Sequence, residues 1–306
     1  MTRHFVQISD FSGDELRHLL RMSSDMKALF RNGGRDACLP GSTAAMLFEK
    51  PSARTRISFE VAMTQLGGSA LYLRQEDIGG LDKREPIRDL VRVLNGYVNA
   101  IIARTFAHET VLELVRYAQV PVINALTDLT HPCQSMADML TIQEHCGRLE
   151  GVRLAYIGDG NNMARSLAAA SALLGLQAVL VCPADYGLEP TSVRKLDALG
   201  PGTVEVSDDP REGLAGADVV YTDTWVSMGQ EAEAQQRLAD FAGFTLDQAL
   251  LDCAAAGAKV MHCLPAYRGK EITDEVLESP QSIVFDQAEN RLHFQRTLLK
   301  HLLSNP

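Results

Sequence analysis

The 306-residue sequence has no apolar run of about 18 residues, the length that marks a membrane-crossing helix. Its opening, "MTRHFVQISDFSGDE", lacks the apolar centre of a secretory signal, so a cytoplasmic protein is expected. The six cysteines, Cys38, Cys133, Cys146, Cys182, Cys253 and Cys263, never fall in a Cys-x-x-Cys spacing, and they read as reduced thiols rather than a disulfide or zinc framework. The eight histidines include no His-x-x-x-His pair, which disfavours a metal enzyme. Basic residues are not in excess either. The formal charge of −10 argues against a nucleic-acid partner. It leaves room for a small anionic ligand, because a local arginine cluster can override the global sign. No solenoid-length repeat or low-complexity segment is present.

What is present is ordinary globular material, 46% hydrophobic and 22% charged, on a chain long enough for two packed domains. "FSGDELRHLLRMSSDMKALFRNGG" opens with a capping box from Ser12 to Glu15, carries Leu16, Leu19, Leu20 and Met26 at helical spacing, and stops at Gly33-Gly34. Strand-length apolar runs then alternate with amphipathic stretches. The spacing predicts strands at 43–48, 69–73, 99–104 and 121–126, and a second series at 152–158, 178–182, 203–207, 219–223 and 259–264. Helices are predicted between them, at 54–66, 86–95, 109–118, 134–146, 162–174 and 245–255. This alternation predicts an α/β protein of two domains, each a parallel sheet flanked by helices on both faces. The break at "CGRLEG" (146–151) sets the domain boundary, and the final helix, "AENRLHFQRTLLKHLL", lies beyond the second sheet.

"FEKPSARTRISFE" (48–60) reads as strand, loop and helix. The N–H groups at such a helix start point outward and suit a phosphate, to which Ser52 and Thr55 add hydroxyls and an arginine adds a two-pronged donor. The bland alternative is that Ser52 only caps the helix and the arginines are solvated. Two arginines in the first turn weigh against it, because cations there oppose the helix dipole unless an anion is bound. Other candidates are weak singly. His131 in "HPCQSMADML" would ordinarily be a cap or core residue, Arg104 could be a surface anchor closing a strand, and Cys263 in "VMHCLPAYRG" could be a small hydrophobe. Asp223 closes a strand ahead of an exposed Trp-Val-Ser-Met-Gly loop. Yet Ser52, Arg104, His131, Asn162, Asp223 and Cys263 all follow predicted strands, and parallel sheets bind ligands beyond their carboxyl ends. Polar residues at that edge, drawn from both halves, describe a cleft between two domains.

"FEKPSARTR", "HPCQ", "DTWVSMGQE", "HCLP" and "FDQAENR", in this order and spacing, closely resemble the ornithine carbamoyltransferases, and the resemblance covers essentially the whole chain. Ser-x-Arg-Thr-Arg and His-Pro-x-Gln are shared with aspartate carbamoyltransferases; Asp-x-x-x-Ser-Met-Gly and His-Cys-Leu-Pro point to ornithine. The resemblance implies transfer of the carbamoyl group of carbamoyl phosphate to the side-chain amine of L-ornithine, without cofactor or metal. It implies that Ser52, Ala53, Arg54 and Thr55 hold the phosphate, that Arg104, His131 and Gln134 hold the carbamoyl end, and that Arg291 reaches back from the final helix. Asn162, Asp223, Ser227 and Met228, with Leu126 nearby, would hold the amino-acid end of ornithine, and Cys263 and Leu264 would meet the reacting centre. Arg104, His131 and Cys263 are the residues implied in catalysis. Residues 1–146 plus 287–306 would form the carbamoyl-phosphate-binding domain and 147–286 the ornithine-binding domain, in a trimer-based assembly.

Two features depart from the family pattern. Ala53 stands where many members carry threonine. The glutamine that many members lend to a neighbouring subunit is not evident in "EDIGGLDKREP", where Lys83 or Arg84 would replace it. Among rival readings, "IGDGNNMARS" has Met163 in place of the third glycine of a dinucleotide fingerprint, and no acidic residue ends the next strand, so a nicotinamide dehydrogenase is disfavoured. A non-catalytic carbamoyl-phosphate-binding protein and a transferase for N-acylated ornithine or putrescine stay open.

Overall fold

The computed structural model of the chain describes residues 2–227 and 229–304. The chain forms two compact units: one gathers the polypeptide up to Leu140 together with the segment from Asn290 onward, and the other runs Thr141–Glu289.

The first unit holds β1 (Thr43–Phe48), β2 (Ser69–Arg74), β3 (Ala100–Arg104) and β4 (Val122–Leu126). They form a parallel sheet in the order β2-β1-β3-β4. β1 and β3 are buried almost throughout, as a strand covered by helices on both faces must be, which is why they read as continuous apolar runs. The second unit holds β5 (Arg153–Ile157), β6 (Gln177–Val181), β7 (Thr203–Ser207), β8 (Val219–Thr222) and β9 (Lys259–His262), parallel in the order β7-β6-β5-β8-β9. In each sheet the chain first steps outward to one side and then crosses to the other. The order therefore reverses between β1 and β3, and again between β5 and β8. Phe48 pairs with Arg104 at the first reversal and Ile157 with Thr222 at the second, so two pairs of carboxyl ends stand beside each other.

The first helix, Gly13–Arg31, has the expected capping box: Glu15 N donates to Ser12 Oγ at 3.3 Å and Ser12 N to Glu15 Oε2 at 2.8 Å. One expected helix, 245–255, shrinks to Gln248–Leu251, capped by Asp247. Leu250 and Leu251 are buried, but the alanines that follow carry too little side chain to bury a further turn, and the helix stops.

The final helix, Val284–Ser304, ends within the first unit. There Phe294 is fully buried with its ring 6.1 Å from that of Phe5, and Lys27 Nζ donates to Asn290 Oδ1 at 2.7 Å. Arg296, fully buried, lies 3.7 Å over the Phe30 ring and donates to Gln65 Oε1 at 2.5 Å. Burial pulls its guanidinium down to about 10. Phe294→Ala should cost about 3–5 kcal/mol of stability, since it empties a site between the first and last segments of the unit. Denaturant midpoints measure this, and a cost below about 1 kcal/mol would show that the helix is not part of that core.

Candidate active site

In the first unit Ser52 is the N-cap of the helix Ala53–Gln65, its hydroxyl accepting from Thr55 N at 3.3 Å. Arg56 N is taken by Ser52 O at 3.0 Å, which leaves the exposed N–H groups of Ala53 and Arg54 with no acceptor among the described residues. A helix start in that state attracts an anion. Arg56 does not face this site. It pairs with Glu60 at 3.0 Å and lies 4.2 Å over the Tyr72 ring, so the surface reading holds for that arginine. Arg54 is exposed on the same first turn.

Thr55 Oγ1 is where the buried cations converge. Arg291 Nη2 donates to it at 2.8 Å, Ser52 Oγ at 3.0 Å, and Arg104 Nη1 at 3.5 Å. Arg291 also donates to Gln134 Oε1, and Gln134 Nε2 donates to buried Asp138 Oδ1 at 2.8 Å. Arg104 owes its place to a register shift: Ala103 pairs with Asn124 but Arg104 pairs with Leu126, an irregularity of the kind that re-aims a strand-end side chain. Leu126, half-buried, ends β4. His131 is buried, and desolvation, then the charges of Arg291 and Arg104, hold its imidazole well below the ordinary 6.5. It is therefore neutral at physiological pH, with one ring N–H to donate.

Lys50 was assigned no role from sequence, although it lies within the quoted stretch. It is buried with its ammonium 4.4 Å over the Phe106 ring, and burial, then Arg104, lower its pKa. Only the folded neighbourhood distinguishes it from a surface lysine. A cavity of about 390 Å³ beside the loop is lined by Phe48, Pro51, Tyr72 and Lys83 among others.

In the second unit, Asp223 follows β8 and is 7% exposed. Its Oδ1 accepts from Thr224 N at 2.8 Å and from the Cys263 thiol at 3.0 Å, and its Oδ2 accepts from Asn161 Nδ2 at 3.1 Å. All three donors are neutral, and no cation pairs with this carboxylate among the described residues. Asn161 is a residue that sequence reasoning missed in favour of its neighbour. It is the N-cap of the helix Asn162–Leu174, accepting from Met163 N at 2.8 Å and Ala164 N at 3.2 Å, while Asn162 opens the helix. Gly160 permits this turn, because a Cβ there would lie 2.5 Å from Tyr186 O.

Cys263 follows β9, and none of the six cysteines forms a disulfide. Leu264 sits at φ 59°, a left-handed conformation that costs a β-carbon-bearing residue about 1–3 kcal/mol. Buried partners hold it there. Leu264 N donates to His262 Nδ1 at 2.8 Å, and His262 Nε2 lies 3.2 Å from Glu271 Oε1. Asp223, His262 and Cys263 have metal-ligand atoms within 4.8 Å of one another. The Leu264 bond fixes Nδ1 as an acceptor and so places the proton on Nε2, facing Glu271. Both ring nitrogens are thus engaged within the fold, and the cluster serves as a hydrogen-bonded support.

The expected exposed Trp-Val-Ser-Met-Gly loop is wrong at its first residue. Trp225 is 5% exposed and stacks on Phe241, ring centroids 5.3 Å apart. An indole buries too much apolar area to be left in water when an aromatic cluster lies beneath it. Ser227 is half-buried, its N–H donating to Gln230 Oε1 at 3.0 Å, and Met228 lies outside the described residues.

The fold is thus that of a parallel α/β protein with polar groups gathered where each sheet reverses order, an arrangement that binds ligands at strand ends. Residues 3–144 match the family described as "Aspartate/ornithine carbamoyltransferase, carbamoyl-P binding domain", and residues 150–302 match "Aspartate/ornithine carbamoyltransferase, Asp/Orn binding domain". The chain belongs to the aspartate/ornithine carbamoyltransferase family. It is 52% identical over 307 residues to the ornithine carbamoyltransferase of Acidothermus cellulolyticus, covering 99% of this chain and 97% of that protein. The structure of the ornithine carbamoyltransferase from Pyrococcus furiosus superposes with a TM-score of 0.96 at 44% identity, covering 99% of this chain and 98% of that one. An acetylornithine transcarbamylase complexed with acetylcitrulline is also similar, with a TM-score of 0.86 at 32% identity, covering 98% and 99%.

Because His131 stays neutral in the folded state, the unfolded chain takes up a proton there first as pH falls through 6.5. Stability from this group is complete above that pH and declines below it, at up to about 1.4 kcal/mol per pH unit. Urea midpoints of wild type and His131→Gln, compared between about pH 7.5 and pH 5, should diverge, the wild type losing more on acidification. Parallel profiles would refute the buried neutral imidazole.

Proposed function

We propose that this chain transfers the carbamoyl group of carbamoyl phosphate to the side-chain amine of L-ornithine, giving L-citrulline and phosphate. The observation that carries the choice of acceptor is Asp223, a buried carboxylate satisfied only by neutral donors. Such a group favours a ligand that brings an ammonium. Ornithine can give Asp223 its α-ammonium and still attack through its side-chain amine; aspartate's only amine would have to attack, and its two carboxylates would be repelled by Asp223. Asn162 and Ser227, with Met228, take the α-carboxylate, and Leu126 adds apolar contact.

Carbamoyl phosphate takes its phosphate to the start of the helix Ala53–Gln65, on the N–H groups of Ala53 and Arg54 with Ser52 and Thr55. Arg104, His131 and Gln134 take the carbamoyl end, and Arg291 adds charge through Thr55. The acceptor amine has an ordinary pKa near ~10 and must lose a proton before it attacks. A desolvated position beside the Cys263 thiol and Leu264 favours that loss. As the carbonyl carbon becomes tetrahedral, its oxygen gains negative charge, which the Arg104 guanidinium and a neutral His131 N–H stabilise from fixed positions. The phosphate then leaves with the bond's electron pair, onto donors already in place. Movement of the 224–231 loop excludes water. A direct displacement of this kind needs no covalent enzyme intermediate. The reading also implies a role in arginine metabolism and a homotrimer or a multiple of trimers, on the sequence motifs shared with the family, and a cytoplasmic location, on the polar opening segment.

Acceptance of N-acylated ornithine is the second reading, favoured by the similarity to the acetylornithine enzyme and opposed by Asp223, whose carboxylate would lose its cation. The deciding assay compares carbamoyl-phosphate-dependent turnover of ornithine, N-acetylornithine, putrescine and aspartate. Ornithine should exceed each of the others by at least about a hundredfold, the weight of roughly 3 kcal/mol. Comparable turnover of N-acetylornithine would remove the assignment of Asp223, and comparable turnover of putrescine would remove the α-carboxylate site.

Cys263→Ala should lower kcat/KM about ten- to a hundredfold without abolishing it, the scale of one hydrogen bond in a charged site, ~1.5–3 kcal/mol. Rapid-mixing kinetics of the wild type should show no burst. A carbamoylated thiol trapped on the pathway would replace direct displacement with a covalent route.

A further inference from the structure

Arg237 lies on the helix Ala234–Asp240, away from every residue given a role above, yet it is 7% exposed. Its Nη1 donates to Asp159 Oδ2 at 3.0 Å and to the backbone carbonyl of Trp225 at 3.0 Å, and its Nε donates to Glu233 Oε2 at 3.0 Å. The guanidinium carbon is 5.0 Å from the Tyr186 ring centre. Asp159 stands in the turn after β5, just before Asn161 and Asn162. Trp225 stands just after Asp223, at the root of the loop that carries Ser227. One buried cation therefore spans the two strand ends that supply the acceptor-binding groups, and those strands are neighbours, with Ile157 paired to Thr222.

The ring of Trp225 is held as well, stacked on Phe241, whose ring lies 4.8 Å from that of Tyr186. Backbone and side chain of Trp225 are both anchored, so the loop has a fixed root.

We propose that Arg237 is a positioning residue for acceptor binding: by tying Asp159 to the Trp225 carbonyl, it sets the spacing between the Asn161–Asn162 turn and the Asp223–Ser227 segment. This rests on the proposed ornithine reading. A guanidinium suits the role because Nη1 carries two N–H groups, one for the Asp159 carboxylate and one for the Trp225 carbonyl, while Nε holds Glu233 and the rigid plane fixes all three directions. A lysine keeps the charge for Asp159 but has no second nitrogen for Glu233 and no rigid plane, so its flexible ammonium does not hold the two partners in the same geometry. The group never touches substrate and acts only through the loop root.

The test uses Arg237→Lys in the full chain, because Arg237→Ala would strand a buried carboxylate and is open to failure of folding. Ornithine KM should rise about ten- to a hundredfold, the scale of an ångström-sized misplacement. Carbamoyl-phosphate affinity, measured without ornithine, should stay within about twofold, since the residue is asked to affect one ligand only. Trp225 is the chain's single tryptophan, so acrylamide quenching reads the loop root directly and should increase in the variant. An unchanged ornithine KM, an equal loss for both substrates, unchanged quenching, or failure of Arg237→Lys to fold would each overturn the proposal. Failure of the wild type to carbamoylate ornithine would instead remove the functional reading beneath it.

Discussion

Parallel pairing brings strand ends of distant sequence side by side, and in this chain it does so where each sheet reverses its order. Phe48 pairs with Arg104 and Ile157 with Thr222. Beyond each pair no further strand residue crosses the gap, so the following loops diverge and leave backbone N–H groups and short polar side chains facing a shared crevice. The phosphate-type helix start and Arg104 meet at one reversal; Asn161 and Asp223 meet at the other. A slip of one residue in either pairing would turn those strand-end side chains to the opposite face of the sheet.

The two units handle buried charge in opposite ways. The first concentrates cations: Arg104 and Arg291 meet at Thr55, Lys50 lies nearby, and the adjoining His131 is kept neutral. Burying like charges is costly unless an anion compensates. An anion such as the proposed phosphate would suit this crevice. The second unit keeps the Asp223 carboxylate on neutral donors and confines its buried arginine, Arg237, to the support beneath the loop. On the proposed reading, the anionic leaving group goes to the first unit and the ammonium to the second.

Around both crevices, buried polar groups hold working residues in place. Asp138 orients Gln134, and Glu271 with His262 holds Leu264 in its left-handed conformation. Buried polar groups of this kind are stable only when fully partnered, and once partnered they have few alternative positions. The rigidity of the site comes from them.

The local pattern of the chain carried the strands, most helices, the family and the identity of the strand-end polar residues, because each follows from short-range periodicity or from contiguous motifs such as "FEKPSARTR" and "HCLP". It misjudged features that depend on what lies underneath. Trp225 was expected to be exposed and is buried on Phe241, and 245–255 was expected to be helical and forms little more than a turn. It passed over Lys50, Asn161 and Arg237, whose roles arise from partners up to 78 residues away, as with Arg237 and Asp159. Sequence alone determined which elements form and which chemistry stands at their ends. Tertiary structure alone decided which buried charges are paired, which loops are anchored and which imidazole stays neutral, because desolvation and long-range contact exist only after the chain has packed.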